Sequence, residues 1–217
     1  MSTPAAKAQP AQPIRFYRFA ISGHSHRVEL FLSLLGLPFE RIEIDLAAKA
    51  HKTPAFLAMN AFGQVPVIQD GDVTLADSNA ILVYLNARYA PDADQWLPRD
   101  PLAAAAVQRW LSVAAGQLAF GPAAARVVQL FKRPENPEAI ERAHALFAVM
   151  EQQLGQTAFL AGSTPTLADI ANYSYAAHAP EGNVSLDPYP ALRAWLARIE
   201  ALPRFVPMVR TPIGLAA

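Results

Sequence analysis

Along the first ninety residues, apolar and polar positions change period several times. Ile14-Arg15-Phe16-Tyr17-Arg18-Phe19-Ala20 alternates, as a half-buried strand does. Val28, Leu30, Phe31, Leu34 and Leu35 then mark a helix, with Gly36 placed to end it and Pro38 to stop any continuation. Phe39 to Asp45 alternates again, so strand, helix and strand form a right-handed βαβ unit. Thr53-Pro54 reads as an N-cap followed by a first-turn proline, opening a short helix within residues 46–61. From Gly63 to Leu85 the pattern predicts strand, tight turn, strand and capped helix. Val65, Val67 and Ile68 suit a strand, with Pro66 at its start or on an edge. Asp70-Gly71 marks a hairpin, and Asp77 or Ser78 can cap the helix carrying Ala80, Ile81, Tyr84, Leu85 and Arg88.

Beyond residue 100 no strand pattern is found. Residues 90–100 are rich in proline and aspartate and read as a linker. An alanine-rich helix is expected from Leu102 to Phe120, broken by Gly121-Pro122, with a further helical stretch from Ala123 to Phe131. Pro137 to Leu154 is amphipathic, with Ile140, Ala143, Leu146, Phe147, Met150 and Leu154 on one stripe. Thr166 and Asp169 have capping-box spacing, which assigns Asp169 to folding rather than catalysis. A last helix is expected from about Pro190 to Leu202. The expected plan is a disordered tail (1–13), an α/β domain (14–89), a linker (90–100) and an all-helical domain (101–217).

Composition narrows the chemistry. Eighteen basic residues balance eighteen acidic ones, so no net field draws nucleic acid or an anionic membrane. No apolar run in the sequence suggests a membrane span, and the first residues lack a signal-peptide core, so a cytoplasmic location is expected. There is no cysteine. Structural disulfides, thiolate metal sites and protein-thiol mechanisms are therefore excluded, and any sulfur chemistry comes from a bound ligand. His24 and His26 have no third ligand at metal-binding spacing and read as solvated or capping residues, so no metal site is expected.

One spot stands out chemically. Asp77-Ser78 places a carboxylate, a hydroxyl and free helix N–H groups together, which can hold an amino acid by its ammonium and its carboxylate. A Val65-Pro66 peptide bond in the cis form would aim the Val65 backbone outward. Ser22 and Ser25, in the turn Ser22-Gly23-His24-Ser25, stand at the head of the first helix. A hydroxyl there cannot exchange disulfides, but it can donate a hydrogen bond to a thiolate and lower its pKa.

Jointly, Val65-Pro66, Asp77-Ser78 and the βαβ–ββα order resemble the soluble glutathione S-transferases, over the whole of 14–89 and, through the Thr166–Asp169 capping motif, in the helical half. The resemblance implies a thioredoxin-like domain followed by an all-α domain, with glutathione as co-substrate. It implies that Val65, Pro66, Asp77 and Ser78 bind glutathione, with Lys52 and Gln64 at its glycine end. Ser22, five residues before Arg27, matches the active-site serine of the serine-type members, as in a bacterial enzyme of that type. Ser25 is the alternative and otherwise the capping residue, whereas Tyr17 is expected to be committed to a sheet face. The chain departs from the family at Asp77, where most members carry Glu, and at Asn60-Ala61, where Asn-Pro is common. The implied activity is conjugation of glutathione to a hydrophobic electrophile, with Trp110, Phe120 and His178 as candidates for the second substrate's site, and a homodimer as the assembly. A glutathione-using isomerase, dehalogenase or peroxidase and a non-catalytic binding module are the alternatives.

Overall fold

The computed structural model describes residues 9–217. The expected tail at 1–13 lies mostly outside them, and within its described part Pro10 is buried. The first half contains β1 (Ile14–Arg18), α1 (Gly23–Leu35), β2 (Phe39–Glu43), α2 (Pro54–Met59), β3 (Val67–Asp70), β4 (Val73–Ala76) and α3 (Ser78–Tyr89). The sheet order is β2-β1-β3-β4. β1 and β2 run parallel with Ile14 opposite Phe39; β1 and β3 run antiparallel with Phe16 opposite Ile68; β3 and β4 form the hairpin. This is the thioredoxin-like βαβ–ββα arrangement. Gly36 ends α1 at φ 67°, where a Cβ is disfavoured, and its N–H bonds Leu32 and Ser33 carbonyls. The hairpin turn is Gly71-Asp72, one residue beyond the Asp70-Gly71 pair read from sequence, since Asp70 still pairs with Val73. β3 starts at Val67 and not at Val65, because Pro66 has no N–H to give the ladder.

The second half is helical: α4 (Ala93–Trp96), α5 (Pro101–Ala115), α6 (Ala124–Leu130), α7 (Pro137–Leu154), α8 (Leu167–Ala177) and α9 (Pro190–Glu200). The stretch read as a linker contains α4, capped by Asp92, whose Trp96 packs edge-on to Phe31 of α1. Gly121-Pro122 does not break the chain as expected. A π-helical segment at Ala119–Ala123 absorbs the missing proline N–H, and the helical path continues from Pro101 to Leu130. That path is long and apolar enough by composition to cross a membrane, contrary to the expectation that no apolar run suggests a span. Its Val107, Trp110, Leu111 and Ala114 are instead buried in the protein core. Asn172 of α8 donates to the Trp110 carbonyl, tying the two helices.

α8 is the centre of the helical half, with ten of its residues buried. Its start carries the expected capping box, and Asp169 is fully buried. The carboxylate accepts from the Leu160 and Thr166 N–H groups, the Thr166 hydroxyl and Trp195 Nε1. Asp169 is thus a structural cap. One continuous apolar core runs through both halves, from Phe16, Leu30 and Leu82 to Leu111, Phe147, Ile170 and Trp195.

Candidate active site

The site is built on three chain ends of the α/β half: the β1–α1 turn, the loop before β3, and the β4–α3 junction. They frame a cavity of about 710 Å³ whose lining includes His51, Lys52, Asp77, Ser78 and His24. Gln64, Val65 and Pro66 also line it, and since Lys52 Nζ reaches the Phe62 carbonyl while Val67 pairs with Ala76, next to Asp77, they run from the Lys52 side to the Asp77 side. All six residues expected to bind glutathione are therefore brought together. The Val65–Pro66 peptide bond is cis. Among the described residues neither the Val65 N–H nor its C=O has a backbone partner.

Asp77 is at once the cap of α3 and a wall of the cavity. One oxygen, Oδ1, accepts from the Asn79 and Ala80 N–H groups, both at 2.9 Å. The other, Oδ2, has no partner among the described residues. Asp77 sits at φ 70°, a left-handed backbone that costs a non-glycine residue free energy, and such positions cluster at functional sites. Ser78 is buried, and its Oγ accepts from Arg27 Nη1 at 3.3 Å. Lys52 is exposed, with Nζ donating to the Phe62 carbonyl at 3.1 Å. Asn60 holds the Gln64 carbonyl at 2.8 Å, fixing the loop even without the common Asn-Pro.

The two serines of the β1–α1 turn have different jobs. Ser22 is the N-cap of α1, its Oγ accepting from the Ser25 N–H at 3.3 Å. Its hydroxyl proton is not engaged by any described group. Ser25, read from sequence as the capping serine, is instead fully buried, with its Oγ accepting from the Phe19 N–H. Neither serine is in the cavity lining; His24, two residues past Ser22, is. Tyr17 is committed as expected, donating from its hydroxyl to Gln69.

His24 was read as solvated or capping, yet it lines the cavity with Nδ1 3.5 Å from Ser78 Oγ and its ring edge-on to Tyr175. Burial, and then the Arg27 guanidinium, push its pKa down to about 3, so the imidazole is neutral. His51 also lines the cavity. His26 is buried, with Nδ1 on Ser174 Oγ and Nε2 on the Val206 carbonyl. No local pattern could reveal these histidine roles, because the partners lie 54, 148 and 180 residues away.

The helical half clamps the head of α1. A Cβ on Gly23 would stand 2.7 Å from the Tyr175 ring, so glycine lets α1 lie on α8. Buried Arg126 donates to the Ile21 carbonyl at 2.7 Å, immediately before Ser22, and pairs with Glu181. Burial raises the Glu181 pKa, but the hydrogen bonds of Thr211, His178 and Arg126 outweigh it and hold the group below the usual carboxylate range. Of the residues proposed for a second substrate, His178 is taken out by this network, since its Nδ1 is 2.6 Å from Glu181. Trp110 and Phe120 line a different cavity, of about 960 Å³, between α5 and α7, together with Val113, Leu146 and Val149. Core packing and an outer cleft claim these aromatics, and sequence alone could not separate those uses.

Comparison with known proteins agrees in both halves. The family "Glutathione S-transferase, N-terminal domain" matches residues 21–88, and "Glutathione S-transferase, C-terminal domain" matches residues 108–203. Glutathione S-transferase 3 of Zea mays is 36% identical over 209 residues, covering 89% of this chain and 91% of the relative. Glutathione S-transferase theta-2 of Homo sapiens is 33% identical, covering 83% and 78%. The crystal structure of a glutathione S-transferase from Pseudomonas fluorescens superposes with a TM-score of 0.86 at 35% identity, over 92% of this chain and all of that one. A Drosophila mojavensis glutathione transferase homologue solved with bound glutathione has a TM-score of 0.80 at 28% identity, over 88% and 89%. Family matches in both halves, close relatives along most of the length and a cavity framed by Val65–Pro66 and Asp77–Ser78 lead to one assignment: the chain belongs to the glutathione S-transferase family.

Proposed function

We propose that the protein transfers the thiol of glutathione to a hydrophobic electrophile, with Ser22 as the hydrogen-bond donor to the thiolate. The observation that carries this reading is the arrangement of the cavity. Asp77, Ser78 and the α3 N-terminus stand beside the start of β3 and a cation, Lys52, beside Phe62, with the Val65 backbone on the stretch between. Glutathione has the matching order: an amino-acid head, a central peptide unit and a terminal carboxylate. Its ammonium would pair with the free Asp77 oxygen, its head carboxylate with Ser78 and the helix N–H groups, and its glycine carboxylate with Lys52, assisted by Gln64.

That placement leaves the cysteinyl sulfur toward the head of α1. The Ser22 hydroxyl proton and the positive end of the α1 dipole would both favour the thiolate. The thiolate carbon–sulfur bond then forms as the electrophile's leaving group departs or its activated double bond takes the electron pair. Ser25, buried under the turn, serves packing in this reading. The electrophile would approach from the helical side, where Tyr175 lies against Gly23 and His24. The reading includes a homodimer, for which exposed Phe62, Leu102 and Phe120 supply apolar surface. It also includes a cytoplasmic location and no nucleic-acid or membrane partner.

Calorimetry with glutathione tests the binding end. Asp77→Ala should weaken binding at least tenfold, as expected for loss of a charged hydrogen bond of about 1.5–3 kcal/mol. An unchanged dissociation constant would remove Asp77 from the site. Turnover of an aryl halide by the wild type separates a transferase from a module that binds glutathione without using it.

A further inference from the structure

The side chain at the head of α1 that lines the cavity is an imidazole and not a serine hydroxyl. His24, the second residue of α1, lines it together with Ser78, whereas Ser22 and Ser25 do not. The His24 ring is held edge-on to Tyr175 of α8, with 5.1 Å between centroids, and its Nδ1 is 3.5 Å from Ser78 Oγ. Nε2 has no hydrogen-bond partner among the described residues and is not sealed from solvent, so it opens to the cavity. His26, by contrast, has both ring nitrogens taken by the fold. The neighbours of His24 decide which nitrogen carries its proton. Arg27 Nη1 can only donate, and it donates to Ser78 Oγ at 3.3 Å. The Ser78 hydroxyl proton is then left to point at Nδ1, which accepts it at long range. Burial, and then the Arg27 charge, keep the imidazole neutral. A neutral imidazole that accepts at Nδ1 carries its proton on Nε2.

We propose that His24 is a second catalytic residue, whose Nε2–H donates a hydrogen bond to the glutathione thiolate alongside the Ser22 hydroxyl. The proposal rests on the glutathione reading and adds to it a group that touches the reacting atom. With the γ-glutamyl head on Asp77 and Ser78, the nitrogen turned toward that head is Nδ1. Nε2 is left for the next unit of the tripeptide, the cysteine. Ser22 and His24 flank Gly23, where the Tyr175 ring leaves no room for a Cβ, so both donors stand on the first turn of α1. A neutral donor suits a nucleophile. Its hydrogen bond favours the charged form of the sulfur, and it has no acidic proton to give back. An imidazolium in its place would protonate the atom it serves to keep ionised.

The test titrates the thiolate absorbance of bound glutathione in His24→Phe, His24→Asn and His24→Gln. H24F keeps a ring against Tyr175 and loses both nitrogens. The amide of H24N reaches only the place of Nδ1, whereas the amide nitrogen of H24Q reaches that of Nε2. H24F and H24N should each raise the apparent pKa of the bound thiol by about one unit, a change of about tenfold in its ionisation constant. H24Q should restore most of the shift, and should H24F not fold, the contrast of H24N with H24Q carries the same information. Calorimetry with S-methylglutathione, which has the peptide of glutathione without the thiol, should give nearly the wild-type dissociation constant for every variant. In the nitrogen NMR spectrum of wild type labelled at its histidines, the ring signals that H24Q removes should place the proton on Nε2. A titration unmoved in H24F and H24N, an H24Q no better than H24N, or a proton on Nδ1 would each overturn the proposal. So would S-methylglutathione binding that weakens in H24F and H24N, since the imidazole would then serve the γ-glutamyl head. All these outcomes leave the glutathione reading standing. Failure of wild type to bind glutathione or S-methylglutathione would overturn that reading, and this proposal with it.

Discussion

Single side chains in this protein do two things at once, and the hydrogen-bond ledger separates them. Asp77 caps α3 with one oxygen and keeps the other, whereas Ser22 spends a lone pair on the cap and keeps its proton. In the proposed reading, capping and ligand binding thus use different atoms of the same group. His26 shows the opposite economy, with both ring nitrogens committed to the fold. Burial, outweighing the Val206 hydrogen bond, depresses its pKa from 6.5 to about 4. An unfolded histidine therefore takes up a proton that the folded one refuses. The contribution is fully present above pH 6.5 and is lost as pH falls toward 4, amounting to about 3 kcal/mol at most. Thermal melts from pH 7 to 4 should fall more steeply for wild type than for His26→Asn; parallel curves would show that His26 does not drive the acid sensitivity. The acidic cap and both serines were legible as residue types. That Ser22 rather than Ser25 takes the cap was not, because both residue types can cap a helix and only the Phe19 N–H, which takes the Ser25 hydroxyl oxygen, decides.

At the scale of elements, local signals served best where the decision was local. Thr53-Pro54 starts α2, Gly36 ends α1, the Asp70–Val73 pair closes the hairpin and Asp169 completes the box on α8. They failed where a neighbouring element overrides propensity. Gly121-Pro122 has the composition of a break, yet α7 packs so closely that a Cβ on Gly121 would stand 3.0 Å from the Ala143 backbone, and the chain widens into a π-turn instead. Gly23 is governed in the same way by α8. Alanine has the better helix propensity, so without its neighbour Gly23→Ala would stabilise α1. Against the Tyr175 ring it should cost about 1–3 kcal/mol by overpacking, with part recovered in the double variant with Tyr175→Leu. Denaturant melts of the three variants check this. A stabilised Gly23→Ala would mean that α8 does not press on the head of α1.

Across the whole molecule, the helical half acts as a backstop for a site made by the other half. Tyr175 presses on Gly23, Arg126 holds the Ile21 carbonyl, Ser174 and the Val206 carbonyl grip His26, and Asn79 at the head of α3 donates to the Leu111 carbonyl. The N-termini of α1 and α3, both at the cavity, are thereby held against the same partner. The two-part plan was readable from periodicity, because strands and helices differ in period. This cross-bracing was not, since each of its contacts joins residues far apart in sequence. What the bracing serves is a fixed Ser22 hydroxyl beside the sulfur, and that is the central claim. The chain has no cysteine, so ultraviolet thiolate absorbance of the complex reports bound glutathione alone. The decisive measurement is the pH titration of that absorbance in wild type, Ser22→Ala and Ser25→Ala. Ser22→Ala should raise the apparent pKa of the bound thiol by about one to two units, roughly 1.4–2.7 kcal/mol, with little change in the dissociation constant. Ser25→Ala should leave the titration in place and lower folding stability. A titration unmoved by Ser22→Ala, or moved by Ser25→Ala in its stead, would contradict the account.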